Sequence, residues 1–84
     1  MSVKIRLKGP LATRLGRDEF VVSLKTDNLL DILKELDKEE KLLINGNKIR
    51  SGYILLINGV DYRLLNSKLK DGDIVDILPI NHGG

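Results

Sequence analysis

The sequence predicts a single α+β domain, with one helix packed over a mixed sheet of four or five strands. Three observations carry that expectation. Apolar residues alternate with period two near the start of the chain and gather in a short run near its end. Between them lies one stretch with helical period. The length, 84 residues, allows one domain with a modest core, burying about 60–65% of the unfolded surface.

The first predicted strand is Val3-Lys4-Ile5-Arg6-Leu7-Lys8, with Val3, Ile5 and Leu7 inward. Gly9-Pro10 stops it. Leu11 to Asp18 reads as a loop closed by Gly16, with Leu11 and Leu15 against the core edge. Glu19 to Lys25 is the second strand, and Phe20, Val22 and Leu24 share a face. These two strands suggest a hairpin with a long connection.

Thr26-Asp27-Asn28 then offers three consecutive N-cap candidates. Leu29, Ile32, Leu33 and Leu36 follow at i, i+3, i+4 and i+7, the apolar stripe of an amphipathic helix. Its other face carries Asp31, Lys34, Glu35, Lys38 and Glu39, a mixed-sign set suited to a solvated face. Leu43 lies seven past Leu36, so the helix is expected to run on toward Leu42 and to end at Asn45-Gly46.

Leu42-Leu43-Ile44-Asn45-Gly46 recurs as Leu55-Leu56-Ile57-Asn58-Gly59. Two copies at so short a period do not make a solenoid, and the match reads as an apolar run plus a turn. Tyr53 to Ile57 is predicted as a fully buried central strand, and Asn58-Gly59 as a tight turn. Val60 to Leu65 forms a return segment with Leu64 and Leu65 available to the core. Asp71-Gly72-Asp73 is a further turn, and Ile74 to Leu78 is the last strand. A long connection separates the first and last strands, so they can lie parallel in the centre. Pro79 lacks a ladder donor and is expected to release the tail. The predicted division is therefore a domain over residues 1–78 and a flexible tail over residues 79–84, Pro79-Ile80-Asn81-His82-Gly83-Gly84.

Composition narrows the chemistry. There is no cysteine, which removes disulfides, thiolate metal sites and a cysteine nucleophile. A single histidine cannot build a histidine metal cluster, so no metal site is expected. The formal charge of +2 is small, cations are spread along the chain, and Phe20, Tyr53 and Tyr62 are the only aromatics. That pattern argues against direct nucleic-acid binding. No leader pattern and no apolar run near ~18 residues is present, and the reading is a soluble, cytoplasmic protein without a membrane partner.

The tail stands out against this background. Glycines carry no side chain, so a narrow channel can admit Gly83-Gly84 and a partner can approach their backbone closely. Two terminal glycines occur by chance in about 0.5% of chains, which alone is weak. The strand-proline-tail context strengthens the signal. A free carboxylate is a poor electrophile and needs activation before a nucleophile can attack it. No phosphate loop and no nucleophile–base pair is visible, so the chain itself is not expected to be an enzyme. His82 invites a general-base role, but a tail histidine has no orienting partner; a solvated side chain or a contact with a partner protein is the simpler reading.

Three segments carry a family resemblance: Ile54-Leu55-Leu56-Ile57-Asn58-Gly59, Leu69-Lys70-Asp71-Gly72-Asp73-Ile74-Val75, and the terminal Gly83-Gly84. Together with the element order they resemble the ubiquitin-like, β-grasp sulfur carriers and small modifiers. That family includes the small subunit of molybdopterin synthase (MoaD), the thiamine sulfur carrier (ThiS), archaeal small modifiers and the ubiquitin-related modifier. The His82-Gly83-Gly84 ending and Asp61-Tyr62-Arg63-Leu64-Leu65 look most like the ubiquitin-related modifier branch, and the chain lacks the two prolines of the commonest molybdopterin-type ending.

The resemblance implies a β-grasp fold and a carrier with no bound cofactor. A ubiquitin-activating-type (E1-like) enzyme would use ATP to adenylate Gly84, and sulfur transfer would yield a thiocarboxylate. The implied acceptors are the large subunit of molybdopterin synthase or a transfer-RNA thiolase. The alternatives are a modifier joined through Gly84 to lysines, and a binding module with an inert tail. Asn81, His82 and Gly83 would enter the partner's active site. Leu56, Ile74, Leu78, Pro79 and Ile80 are the candidate docking surface, with ordinary strand packing or a homodimer contact as the alternative. Arg6, Lys8, Arg50 and Arg63 are candidates to meet an acidic activating enzyme, or are simply solvated.

Overall fold

The computed structural model describes residues 1–23, 25–36, 43–45, 48–50, 52–65 and 68–80, the side chains of residues 35, 45 and 48 excepted. Five strands form one mixed sheet: β1 (Ser2–Leu7), β2 (Glu19–Ser23), β5 (Tyr53–Ile57), β6 (Val60–Asp61) and β7 (Ile74–Pro79). Their spatial order is β2-β1-β7-β5-β6. β1 and β7 lie parallel at the centre, and the other pairings are antiparallel. This is the expected α+β architecture.

One face of the sheet is the core. Val3, Ile5 and Leu7 of β1, Val75 and Ile77 of β7, and Leu55 and Ile57 of β5 are buried, each set alternating with less buried neighbours. Helix α2 (Leu29–Leu36) covers them with Leu29, Ile32 and Leu33, and Leu36 packs at the margin. The helix starts where the N-cap signal placed it. Asn28 Oδ1 accepts from the Leu30 amide at 2.9 Å, and the Thr26 hydroxyl accepts from the Asn28 amide at 3.1 Å. Leu69 is also buried, and its amide donates to Asp27 O at 2.7 Å, which fixes the entry to α2.

Five local expectations need correction. Residues 10–15 are not a loop but a short helix, α1 (Pro10–Leu15). Proline at its first turn spares an amide that would have no partner, and Gly16, left-handed at φ 75°, closes it by donating to Ala12 O and Thr13 O. Asn45 does not end a helix: Ile44–Asn45 (β3) pairs with Lys48–Ile49 (β4) in a separate two-stranded ribbon. The spacing from Leu36 to Leu43 mimicked a helical repeat, while Leu43 reaches the core from outside α2. The predicted run of α2 toward Leu42, like Leu24 and Gly46, lies outside the described residues.

The third correction concerns Leu64 and Leu65. Tyr62–Leu64 forms a 3₁₀ turn, with Asp61 accepting from the Arg63 amide, and Leu64 is 79% exposed. Tyr62 packs against the core instead, and Leu65 is exposed. The fourth is at Pro79, which does not free the chain from the sheet. It pairs with Tyr53, and the Ile80 amide still donates to Gly52 O at 2.9 Å. The fifth is β5, which is not a fully buried central strand: β7 takes the centre, and β5 buries Leu55 and Ile57 on one face while Ile54 is exposed on the other.

Candidate functional site

β7 is the last described strand before Gly83-Gly84 in the sequence, and both of its ends are fixed by neighbouring segments. Its start is tied to the β5–β6 turn. Asn58 and Gly59 have φ of 52° and 84°, the mirror-image turn that suits a two-residue hairpin. Asn58 also reaches across to β7. Its amide donates to Ile74 O at 2.8 Å, its Oδ1 accepts from the Ile74 amide at 3.0 Å, and its Nδ2 donates to Asp73 Oδ1 at 2.8 Å.

At the other end, register explains Pro79. The Ile80–Gly52 bond flanks the Pro79–Tyr53 pair, so Pro79 presents its nitrogen away from β5, toward β1. On that side the ladder's last bond runs from the Lys8 amide to Ile77 O. Proline has no proton to offer the Lys8 carbonyl next in register, so the parallel ladder stops there while the antiparallel one continues. The missing donor releases β7 from one neighbour, not both. The Pro79 ring lies beside Gly9, where a Cβ would stand 3.5 Å from the ring.

The sheet face opposite α2 carries three of the candidate docking residues. Leu56, Ile74 and Leu78 are half-buried there, whereas Pro79 alternates onto the side of Ile77, against Gly9, and Ile80 lies just past the strand. Register places Ile54 beside Leu78 and Leu56 beside Asp76, so apolar side chains of β5 and β7 form one surface. In its middle sits a feature that sequence reading did not identify. Asp76 is only 8% exposed and is clamped by Arg6, with Nε on Oδ1 and the second nitrogen 2.8 Å from Oδ2. This two-pronged bond raises the Arg6 guanidinium above its already high value. The period-two pattern does place Arg6 and Asp76 on the same face; only the β1–β7 register shows that they are neighbours.

Arg63 is committed in a similar way. Its guanidinium hydrogen-bonds Asp61, at 2.7 Å in the closest contact, and holds that carboxyl below the usual carboxylate range. Of the four cations proposed to meet a partner, Arg6 and Arg63 therefore already serve intramolecular pairs. A shallow cleft of about 190 Å³ opens beside Ile80, lined among others by Ile49, Arg50, Tyr53, Tyr62 and Arg63. Asn81, His82, Gly83 and Gly84 lie outside the described residues. Among the described residues no group of three His, Cys, Asp or Glu could hold a metal ion. No helix among them is long and apolar enough to cross a membrane.

Comparison with known proteins decides the family. The model of the Urm1 (ubiquitin related modifier) family matches residues 12–84. The chain belongs to that family. It is 33% identical over 72 residues to ubiquitin-related modifier 1 of Kluyveromyces lactis, covering 82% of this chain and 71% of that protein. The crystal structure of Sulfolobus solfataricus Urm1 is similar at a TM-score of 0.79 and 39% identity, over 92% of this chain and 99% of the other. The small modifier SAMP1 of Haloferax volcanii superposes at 0.80 over the whole of both chains, but at 22% identity that likeness concerns the fold alone. The expected β-grasp fold and ubiquitin-related modifier branch are thus borne out. The chain is a ubiquitin-like sulfur carrier and modifier of the Urm1 family.

Proposed function

We propose that Gly84 is the reactive residue and that the domain presents it to two successive partners. A ubiquitin-activating-type enzyme takes up residues 81–84 and attacks ATP with the Gly84 carboxylate. The acyl-adenylate forms and pyrophosphate leaves. A sulfide-level donor then attacks the acyl carbon and AMP departs, so a C–S bond replaces a C–O bond. On a transfer-RNA thiolase in the cytoplasm the C–S bond breaks as water takes its place, which restores the Gly84 carboxylate, and the released sulfide attacks an acceptor carbon whose oxygen the thiolase has activated as a leaving group. Gly83 lets the tail thread a tunnel too narrow for side chains. His82 contacts the activating enzyme and takes no proton. The carrier binds no cofactor of its own and contributes no catalytic side chain; ATP belongs to the activating enzyme.

The observation supporting this reading is the family match, which runs through the tail to residue 84. The half-buried apolar face of β5 and β7 suits the docking step, because it lies on the strand that leads into the tail. The family's description as a modifier favours a second use of the same activated glycine, attack by a lysine amine to form an isopeptide bond. ATP–pyrophosphate exchange catalysed by the activating enzyme tests the first step. The full chain should support exchange and a chain lacking Gly84 should not. Equal exchange by both would refute the role given to Gly84.

A further inference from the structure

The two edges of the sheet differ. On one side β6 is two residues long, and Asp61 within it is held by Arg63. Short strands and charged side chains are the usual means of blunting an edge. On the other side β2, Glu19-Phe20-Val21-Val22-Ser23, has none of these protections at its centre. It contains no lysine and no proline, and its five residues pair with β1 in unbroken register, so no bulge twists the edge away. Val21 stands mid-strand and is 66% exposed.

The register also shows which backbone groups of β2 point away from β1 and have no partner among the described residues. The Leu7 amide donates to Asp18 O at 2.7 Å, which flanks the Arg6–Glu19 pair. Phe20 and Val22 therefore exchange their bonds with β1, whereas the N–H and C=O groups of Glu19, Val21 and Ser23 face the open edge.

We propose that this edge pairs with the β2 edge of a second copy of the chain, antiparallel about a two-fold axis at Val21. The segment is self-complementary in that arrangement. Val21 meets Val21 of the second copy, and each amide bonds the other's carbonyl. Glu19 meets Ser23, so no like charges stand opposite, and Lys4 already neutralises Glu19 at 3.0 Å. Phe20 meets Val22, an aromatic opposite a β-branched residue, a favourable cross-strand pair. The two sheets become one continuous sheet. β7 lies two places in from the paired edge, so the strand leading to each tail stays clear of the contact. A contact of one short strand is small, and the dimer belongs to the weak, concentration-dependent class.

Sedimentation equilibrium of the full chain from micromolar to millimolar concentration tests this, with amide hydrogen exchange read over the same range. The mean mass should climb from 9.4 kDa toward twice that value. Exchange at Val21 should slow as concentration rises, while the Phe20 and Val22 amides, already bonded within the chain, should change little. Val21→Lys sets two cations against each other, and Val21→Pro removes a donor that the isolated chain does not use. Both should stay monomeric with unchanged circular dichroism. Leu64→Lys, at an exposed leucine remote from β2, should associate like the parent. A parent mass that stays flat overturns the proposal, and so does association that survives Val21→Pro. If Val21→Pro does not fold, Val21→Lys and the Val21 exchange rate decide on their own.

Discussion

Ile77 and Leu78 are sequence neighbours on β7 that face opposite sides of the sheet, so replacing each with alanine should separate stability from docking. Ile77 is fully buried between Leu7 and Leu55. Deleting a buried aliphatic side chain removes its transfer free energy and leaves a cavity, at a cost of about 2–5 kcal/mol. A domain of this size has a total stability of about 4–13 kcal/mol. One kcal/mol corresponds to about 4–8 °C in Tm for small domains, so a mid-range loss of ~3 kcal/mol lowers Tm by about 12–24 °C. Leu78 is half-buried on the other face. Its truncation should cost less than about 1.5 kcal/mol, because much of its surface meets water already. Thermal and urea unfolding followed by circular dichroism measure both. Binding to the activating enzyme, measured well below either Tm, should be kept by Ile77→Ala and weakened by Leu78→Ala. Equal destabilisation by the two variants would refute the two-faced reading of β7, and equal binding would refute its outer face as a docking surface.

Other consequences are as specific. Gly16→Ala should destabilise by about 1–2 kcal/mol, measured by urea unfolding; nothing crowds the site, so the cost is the left-handed backbone alone. Arg6→Met strands the mostly buried Asp76 carboxylate, so it should lower Tm more than the double variant Arg6→Met/Asp76→Leu, in which both partners become apolar. Asp71 accepts from the Ser2 amide at 2.7 Å, which holds its carboxyl below its ordinary value. The unfolded chain then binds more protons in mild acid, so this contribution is present above about pH 4 and fades as pH falls through the folded value. Unfolding of Asp71→Asn should show a shallower loss of stability over that acid range than the parent does.

Elements built on long periodic patterns could be read from sequence, and elements built on a few residues could not. The inward faces of β1 and β7 and the stripe of α2 follow from period two and period 3.6, since each repeats a burial signal several times. Helix α1 has room for one such repeat, Leu11 to Leu15, and is specified mainly by Pro10 and Gly16 at its ends. The β3–β4 ribbon pairs two residues with two, too few to show any period, and Leu43 happened to extend the helical spacing. Leu64 was misplaced because hydrophobicity alone does not tell which side of a 3₁₀ turn faces the core; Tyr62 takes that side. At the candidate site, the outward set Leu56, Ile74 and Leu78 follows from alternation. The Arg6–Asp76 clamp does not, because it joins residues seventy positions apart through strand register. The release at Pro79 was legible as chemistry, a missing donor, but only the ladder shows that it faces β1.

Every step proposed for this chain depends on activation of the Gly84 carboxylate. Its most direct test is the intact mass of the full chain after incubation with ATP, a sulfur donor and the activating enzyme, followed by fragmentation to locate the change. The expected result is a gain equal to one sulfur replacing one oxygen, confined to residue 84 and absent from a chain that ends at Gly83. An unchanged mass, or a modification located away from Gly84, would contradict it.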